Sequence, residues 1–285
     1  MFPKILVVEG NPKANCERAE SFGTLSAGDR YCKSLRDICP TIHIEKVYGA
    51  DIDRTLPVGA EISSFHGVVI GGSALHSYDN DVAVTRQLDL IREVFNAGIP
   101  VLGSCWGLQI AVIAAGGGVA KSVYGRELGI ARKITLTVAG RAHDLFRGKS
   151  TVFDSACIHL DEVVHIPEGA VVLASNHHSN VQAIAFRCKS SDFWGVQYHP
   201  EFDLFHLSKL SRMYSDMMLK DGFYHDEEQA NSIADELSIL SQDTSRSDLA
   251  WKLGIDDDIL DDNIRTIEIK NWIELKVIPR LKSFQ

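Results

Sequence analysis

Apolar residues in the first 120 positions fall into short unbroken runs separated by longer amphipathic stretches. Residues 5–8 (Ile-Leu-Val-Val), 67–70 (Gly-Val-Val-Ile) and 99–102 (Ile-Pro-Val-Leu) are apolar throughout, as strands buried on both faces require. Residues 41–47 alternate apolar and polar positions and predict a further strand. Between these runs, residues 29–39 predict a helix stopped by Pro40, residues 82–97 a helix closed by Gly98, and residues 108–115 a small-residue helix ended by Gly116-Gly117-Gly118. Residues 11–28 read as a long first loop. Strands and helices in alternation predict an α/β three-layer sandwich with a mainly parallel central sheet. From residue 130 onward, residues 130–138, 150–153, 171–175, 181–185 and 193–197 predict shorter strands joined by turns. Beyond Glu201 the period becomes helical, over residues 204–219, 227–240 and 263–281. The expected organisation is one domain over residues 1–205 and a helical C-terminal extension over residues 206–285. The last helix has one apolar face (Ile264, Ile267, Trp272, Ile273, Ile278), which suits docking on its own domain or a homodimer contact, with docking the more usual use of such a face.

Composition narrows the function. With 285 residues the chain can bury a sizeable core, and 45% hydrophobic with 24% charged residues is ordinary for a globular protein. A net charge of −9 argues against a nucleic-acid partner, which would need clustered Lys and Arg. The apolar runs fall well short of the ~20 residues that span a bilayer, and residues 1–8 lack the features of a signal peptide, so a cytoplasmic location without membrane contact is expected. Acidic residues crowd positions 226–262 but lack the spacing of a calcium loop, and a solvated face is expected there. The six cysteines (Cys16, Cys32, Cys39, Cys105, Cys157, Cys188) contain no Cys-x-x-Cys and fit no zinc pattern. The pair His177-His178 has no carboxylate or cysteine at a ligand spacing, and no metal is expected.

Cys105 stands apart from the other thiols. Residues 101–109 read Val-Leu-Gly-Ser-Cys-Trp-Gly-Leu-Gln, a buried strand running through Gly-x-Cys-x-Gly into a helix. This is the cysteine form of the nucleophile elbow, in which flanking glycines remove the Cβ atoms that a sharp strand-to-helix turn cannot accommodate. The helix start then aims free N–H groups and its positive end at the sulfur, which favours the thiolate. His199 lies 94 positions later in Gln197-Tyr198-His199-Pro200-Glu201. A cysteine hydrolase needs a base beside the sulfur and a third group to hold the base's tautomer, and His-Pro-Glu offers both in one segment.

Together, Gly-x-Cys-x-Gly-x-Gln and Gln-x-His-Pro-Glu resemble the class I glutamine amidotransferases, most of all stand-alone members similar to the amidotransferase domain of GMP synthase, over roughly residues 1–205. The resemblance implies the flavodoxin-like fold of that family. It implies a glutamine or γ-glutamyl substrate, a γ-glutamyl thioester on Cys105 and a Cys105–His199–Glu201 triad. It further implies an oxyanion hole from the backbone N–H groups of Gly72 and Trp106, with Gly71 and Gln109 holding the substrate. No cofactor is implied. The segment Arg126-Glu127-Leu128-Gly129 is similar to the family's Arg-Glu-Phe-Gly near the pocket, His159-Leu160-Asp161 to a segment at the pocket's rim, and His143-Asp144-Leu145-Phe146 to a structural turn.

Two features depart from the family pattern. Gly71-Gly72 is followed by Ser73 where relatives carry proline, which suggests a loop shaped for another substrate or partner, and Trp106 is bulkier than the residues that usually follow the nucleophile. The chain has neither a Gly-x-x-x-x-Gly-Lys-Ser/Thr loop nor a Ser-Gly-Gly-x-Asp-Ser loop. Two readings follow. In one, ammonia freed from glutamine passes to a separate synthetase subunit. In the other, a stand-alone γ-glutamyl peptidase or hydrolase acts on γ-glutamyl amides.

Overall fold

A computed structural model describes residues 2–51, 56 and 60–283. In chain order the elements of the first half are β1 Lys4–Glu9, α1 Lys13–Ser21, α2 Ala27–Ile38, β2 His43–Tyr48, β3 Gly67–Ile70, α3 Val82–Asn96, β4 Val101–Ser104 and α4 Trp106–Ala114. Next come β5 Gly118–Lys121, β6 Glu127–Leu136, α5 Val138–Ala142, β7 Val152–His159, β8 Asp161–His165, β9 Val171–Ser175, β10 Ala183–Cys188 and β11 Ser191–Val196. The main sheet has the order β2-β1-β3-β4-β11-β10-β9-β6-β7. It is parallel from β2 to β11 and antiparallel from there to β7. Helices cover both faces, as the apolar runs require. Along β1, Ile5 and Val7 join a core with Tyr31 and Leu35 of α2, while Leu6 and Val8 join the opposite core with Val84, Ile91 and Val94 of α3.

The structure corrects one reading in this half and adds a small sheet that the sequence did not suggest. Residues 13–21 are a helix rather than part of a loop. It buries only Cys16 and Ala19, too few apolar positions to announce a helical period. β5 and β8 form a separate two-stranded sheet too short to stand out in the sequence.

The tail forms α6 Leu204–Met213, α7 Ser215–Lys220, α8 Glu227–Gln242, α9 Ser247–Leu253, α10 Asp257–Leu260, α11 Asp262–Arg265 and α12 Ile267–Trp272. A π-helical turn over Ile273–Val277 and α13 Ile278–Ser283 complete it. The helix expected over residues 204–219 is interrupted at Tyr214, and that over residues 263–281 at Thr266. Many of the crowded acids have local work. Asp226, Asp256 and Asp261 cap α8, α10 and α11 by accepting from the N–H groups of Gln229, Asp258 and Asn263.

The last helices dock on their own domain. Ile269, Trp272, Ile273 and Val277 lie in the same core as Ile5, Val7 and Leu35. Trp272 is fully buried, and a Cβ on Gly67 would stand 2.6 Å from its ring, so the bare start of β3 makes the seat for the indole. Glu268 of α12, fully buried, accepts from the Tyr198 hydroxyl at 2.7 Å and pairs with Lys149 at 3.2 Å. Trp272→Ala should leave an unfilled cavity costing about 3–5 kcal/mol. Thermal unfolding should then fall by on the order of 10 °C; an unchanged midpoint would show that the tail adds nothing to the core.

Candidate active site

β4 and β11 run side by side and parallel, with Val196 opposite Ser104. Cys105 follows the first strand and Gln197-Tyr198-His199 the second, so residues 94 positions apart emerge at the same end of the sheet. Cys105 occupies φ 50°, ψ −103°, and its N–H donates to the carbonyl of Val196 at 2.8 Å. The two glycines of Gly-x-Cys-x-Gly are there for space. A Cβ on Gly103 would come within 2.6 Å of the Gly107 backbone, and one on Gly107 within 2.2 Å of the Ile70 carbonyl oxygen. Trp106 opens α4, so its N–H has no intrahelical acceptor.

His199 and Glu201 are buried, and Nδ1 of the imidazole lies 2.7 Å from Oε1 of Glu201. The same oxygen accepts from the Ser104 hydroxyl at 3.0 Å. Arg30 donates to the Glu201 carbonyl at 2.9 Å and pairs with Asp203, which anchors the turn. Phe202 stacks on the imidazole with centroids 3.9 Å apart and planes 4° from parallel. Burial alone would lower the pKa of His199, but the charge of Glu201 and then the Cys105 side chain at hydrogen-bonding range outweigh it and hold it at about 10. Tyr31 sits behind this pair, its own pKa driven well up by burial and then by Glu201.

Gly72 faces the same imidazole: a Cβ there would lie 2.9 Å from Cε1 of His199. Asn11 holds the Gly72 loop, donating to the Gly72 carbonyl at 3.3 Å and accepting from the Ala74 N–H at 2.9 Å. Asn11 is in turn fixed by buried Glu9, which accepts from its backbone N–H at 3.0 Å and from that of Gly28 at 2.7 Å. Gly71 stands back from the site, its N–H directed at the Val8 carbonyl 3.4 Å away and its missing side chain making room for Ala27. The Trp106 ring packs into the core rather than the cavity, donating to Gln87 at 2.8 Å. Gln109 lines the cavity and donates to the Asp161 carbonyl at 2.9 Å and to Gln197 at 3.2 Å.

Cys105, His199, Gly72 and Gln109 share one cavity of about 230 Å³. His76 and Tyr78 of the loop carrying Ser73 bond to buried Asp161, at 2.5 and 3.0 Å. Burial, then the bond to Asp161, pushes Tyr78 up to about 12. The loop that departs from the family pattern at Ser73 is thus tied to the rim segment His159-Leu160-Asp161 that the sequence singled out. Glu9, Asn11 and Phe202 were missed by the sequence reading, and only the position of Phe202 directly after His-Pro-Glu could have flagged it. His178, which sequence spacing left alone, is brought near Glu127 and His159, with one ligand atom from each lying within 4.8 Å of the others. Glu127 is already engaged there, accepting from Asn176 at 2.6 Å and from Gln182 at 2.7 Å, with His159 2.9 Å away.

Comparisons with known proteins agree with this architecture. Among solved structures, a glutamine amidotransferase from Thermotoga maritima covers 89% of this chain and 99% of its own, with a TM-score of 0.64 at 16% identity, a likeness of fold. A glutamine amidotransferase from Methylobacillus flagellatus covers 100% and 96%, with a TM-score of 0.59 at 20% identity. The fold is therefore that of the class I glutamine amidotransferase enzymes. The model of the family "Glutamine amidotransferase class-I" matches residues 43–209, and the chain belongs to that family. A γ-glutamyl-L-1-hydroxyisopropylamide hydrolase from a Pseudomonas species is 32% identical over 98% of this chain and 95% of its own length. The GMP synthase of Latilactobacillus sakei is 36% identical over 47% of this chain and 24% of that enzyme. A shorter relative, one of the separate chains of the GMP synthase of Methanoregula boonei, is 32% identical over 53% of this chain and 73% of its own.

Three of the other thiols are disfavoured as thiolates. Burial, followed by the charge of Glu9, pushes Cys16 up to about 12; burial pushes Cys32 up to about 11 and Cys157 well above the usual range. A glutamine analogue bearing an electrophilic carbonyl should label Cys105 ahead of the remaining five. Peptide mass spectrometry reads this directly, and even labelling across all six would contradict an activated sulfur at this turn.

Proposed function

We propose that the protein hydrolyses γ-glutamyl amides through a thioester on Cys105. One observation carries the reading: a cysteine held at positive φ before a helix, on the strand adjacent to the one delivering a His199–Glu201 pair 2.7 Å apart. In the first step the Cys105 thiolate attacks the amide carbonyl carbon. The oxyanion takes hydrogen bonds from the N–H groups of Gly72 and Trp106, each such donor contributing about 2.7–4 kcal/mol to lowering the barrier. His199, protonated and oriented by Glu201, gives its proton to the departing nitrogen as the C–N bond breaks. In the second step water loses a proton to His199 and attacks the thioester, the C–S bond breaks, and glutamate leaves with the thiolate restored.

The choice of γ-glutamyl amides over glutamine rests on coverage. The Pseudomonas hydrolase aligns over nearly all of this chain, whereas the GMP synthases align over about half. A second reading, a glutaminase passing ammonia to a separate synthetase, is favoured by the likeness to the Methanoregula boonei chain. Assay of the purified protein on glutamine and on γ-glutamyl-hydroxyisopropylamide separates the two: faster ammonia release from glutamine would favour the second.

Cys105→Ser should retain the fold and lose about 10⁴-fold or more in kcat; wild-type turnover in that variant would overturn the mechanism. The pH profile provides a further test. A raised imidazole pKa keeps the leaving-group proton in place at neutral pH, and activity should fall only as pH climbs through about 10. Glu201→Gln removes the main influence holding that value up. Its alkaline limb should move to lower pH while kcat drops about 10²–10⁴-fold, and an unmoved limb would refute the role given to Glu201.

A further inference from the structure

Besides the reacting groups, much of the cavity lining is apolar. Phe202 just before α6, His206, Leu210 and Met213 on α6, and Met217 on α7 line it at spacings of three and four residues. α1, packed against α6 through Ala19, contributes Cys16 and Ala19. Two polar side chains that line the cavity here, His206 and Arg126, are already engaged. His206 Nδ1 meets the Thr24 hydroxyl at 2.6 Å, and burial lowers its pKa to about 3, so it stays neutral. Arg126 donates to Asp221 at 3.0 Å, and Arg18 to the Met213 carbonyl at 2.9 Å.

The direction of the reaction decides which part of a substrate meets this wall. The group that protonates the leaving nitrogen is His199, so the amine departs on the His199 side. Gln109, Asp161 and His76 lie along another stretch of the lining, where hydrogen-bond partners suit the amino and carboxyl groups of a γ-glutamyl moiety. An ammonia leaving group would need none of the wall from Leu210 to Met217. Building on the reading above, we infer that the preferred substrates are γ-glutamyl amides whose amine carries an uncharged apolar chain, alkyl or arylalkyl, seated where α1 meets α6 and α7. Long, adaptable Met213 and Met217 suit chains of varied shape. A carboxylate on the amine, as in a γ-glutamyl dipeptide, would be desolvated beside Leu210 and Met213, and Arg126, which lines the cavity, is already paired with Asp221.

Matched substrates test this. γ-Glutamylisopentylamide and γ-glutamylleucine differ only by the carboxylate, and γ-glutamylmethylamide removes most of the chain. The wild type should turn over the isopentylamide with a kcat/KM about tenfold or more above either of the others, since apolar contacts of this size give discrimination of that order. Met213→Asp and Met217→Asp should shrink that preference to within about threefold. Binding of the isopentylamide to Cys105→Ala, measured by calorimetry, should be tighter than binding of the methylamide and should show a negative heat-capacity change; this keeps the test open if an aspartate variant fails to fold. Equal or faster turnover of the methylamide would overturn the inference while leaving γ-glutamyl amide hydrolysis intact, as would a preference for γ-glutamylleucine. Cleavage of none of the three would sink the underlying reading, and the inference with it.

Discussion

The site depends on one backbone contact, the hydrogen bond from the Cys105 N–H to the Val196 carbonyl at 2.8 Å. It extends the parallel pairing of β4 and β11 by one step beyond Ser104 and Val196, and thereby sets where the sulfur and the imidazole emerge. The elbow beyond it is costly. A non-glycine residue at positive φ carries roughly 1–3 kcal/mol of strain, which persists only if the surroundings over-determine it. They do so by contact. α4 approaches β3 so closely that Gly107 admits no Cβ against the Ile70 carbonyl, and β4 approaches α4 so closely that Gly103 admits none against Gly107. Packing at these two glycines is what holds Cys105 in its conformation.

The tail is tied to the same region from behind. Tyr198, immediately before His199, donates to Glu268 of α12, and Glu268 pairs with Lys149, all three side chains being buried. A buried ion pair adds little net stability against an apolar replacement, because desolvating the charges offsets their attraction. Its consequence is geometric: an unpaired Glu268 or Lys149 in that core would be costly, so the register of α12 against the loop after α5 is strongly specified. With Trp272 seated over Gly67, this makes the C-terminal helices part of the core that supports β1, β3 and β11.

What the sequence revealed and what it hid divide along a physical line. β1, β3 and β4 are buried along nearly their whole length and so read as apolar runs; β3 and β9 were legible to the residue. Gly-x-Cys-x-Gly and His-Pro-Glu were legible because sharp turns restrict residue choice locally. The amphipathic tail helix was legible as an element, but its break at Thr266 and its π-helical turn were not, since both follow from docking rather than local preference. The gathering of Glu127, His159 and His178 left no mark either, because cross-strand proximity among β6, β7 and the turn after β9 has no fixed sequence spacing. The clamp of Glu9 and Asn11 on the Gly72 loop was hidden for the same reason, its partners lying 61 and 63 positions apart.

The walls of the cavity fall on the hidden side of that line. α1 buries two small side chains and was expected to be a loop; the Ser73 loop is held by His76, Tyr78 and Asp161 from distant segments; the face of α6 continues past a break at Tyr214. Bond-making groups must stand at restricted backbone positions, so they leave motifs. Groups that merely surround a substrate need only shape and polarity, which many sequences satisfy. A chain of this kind therefore exhibits its family in two short segments, whereas the surroundings of the cysteine become visible only once helices from both ends are folded over it.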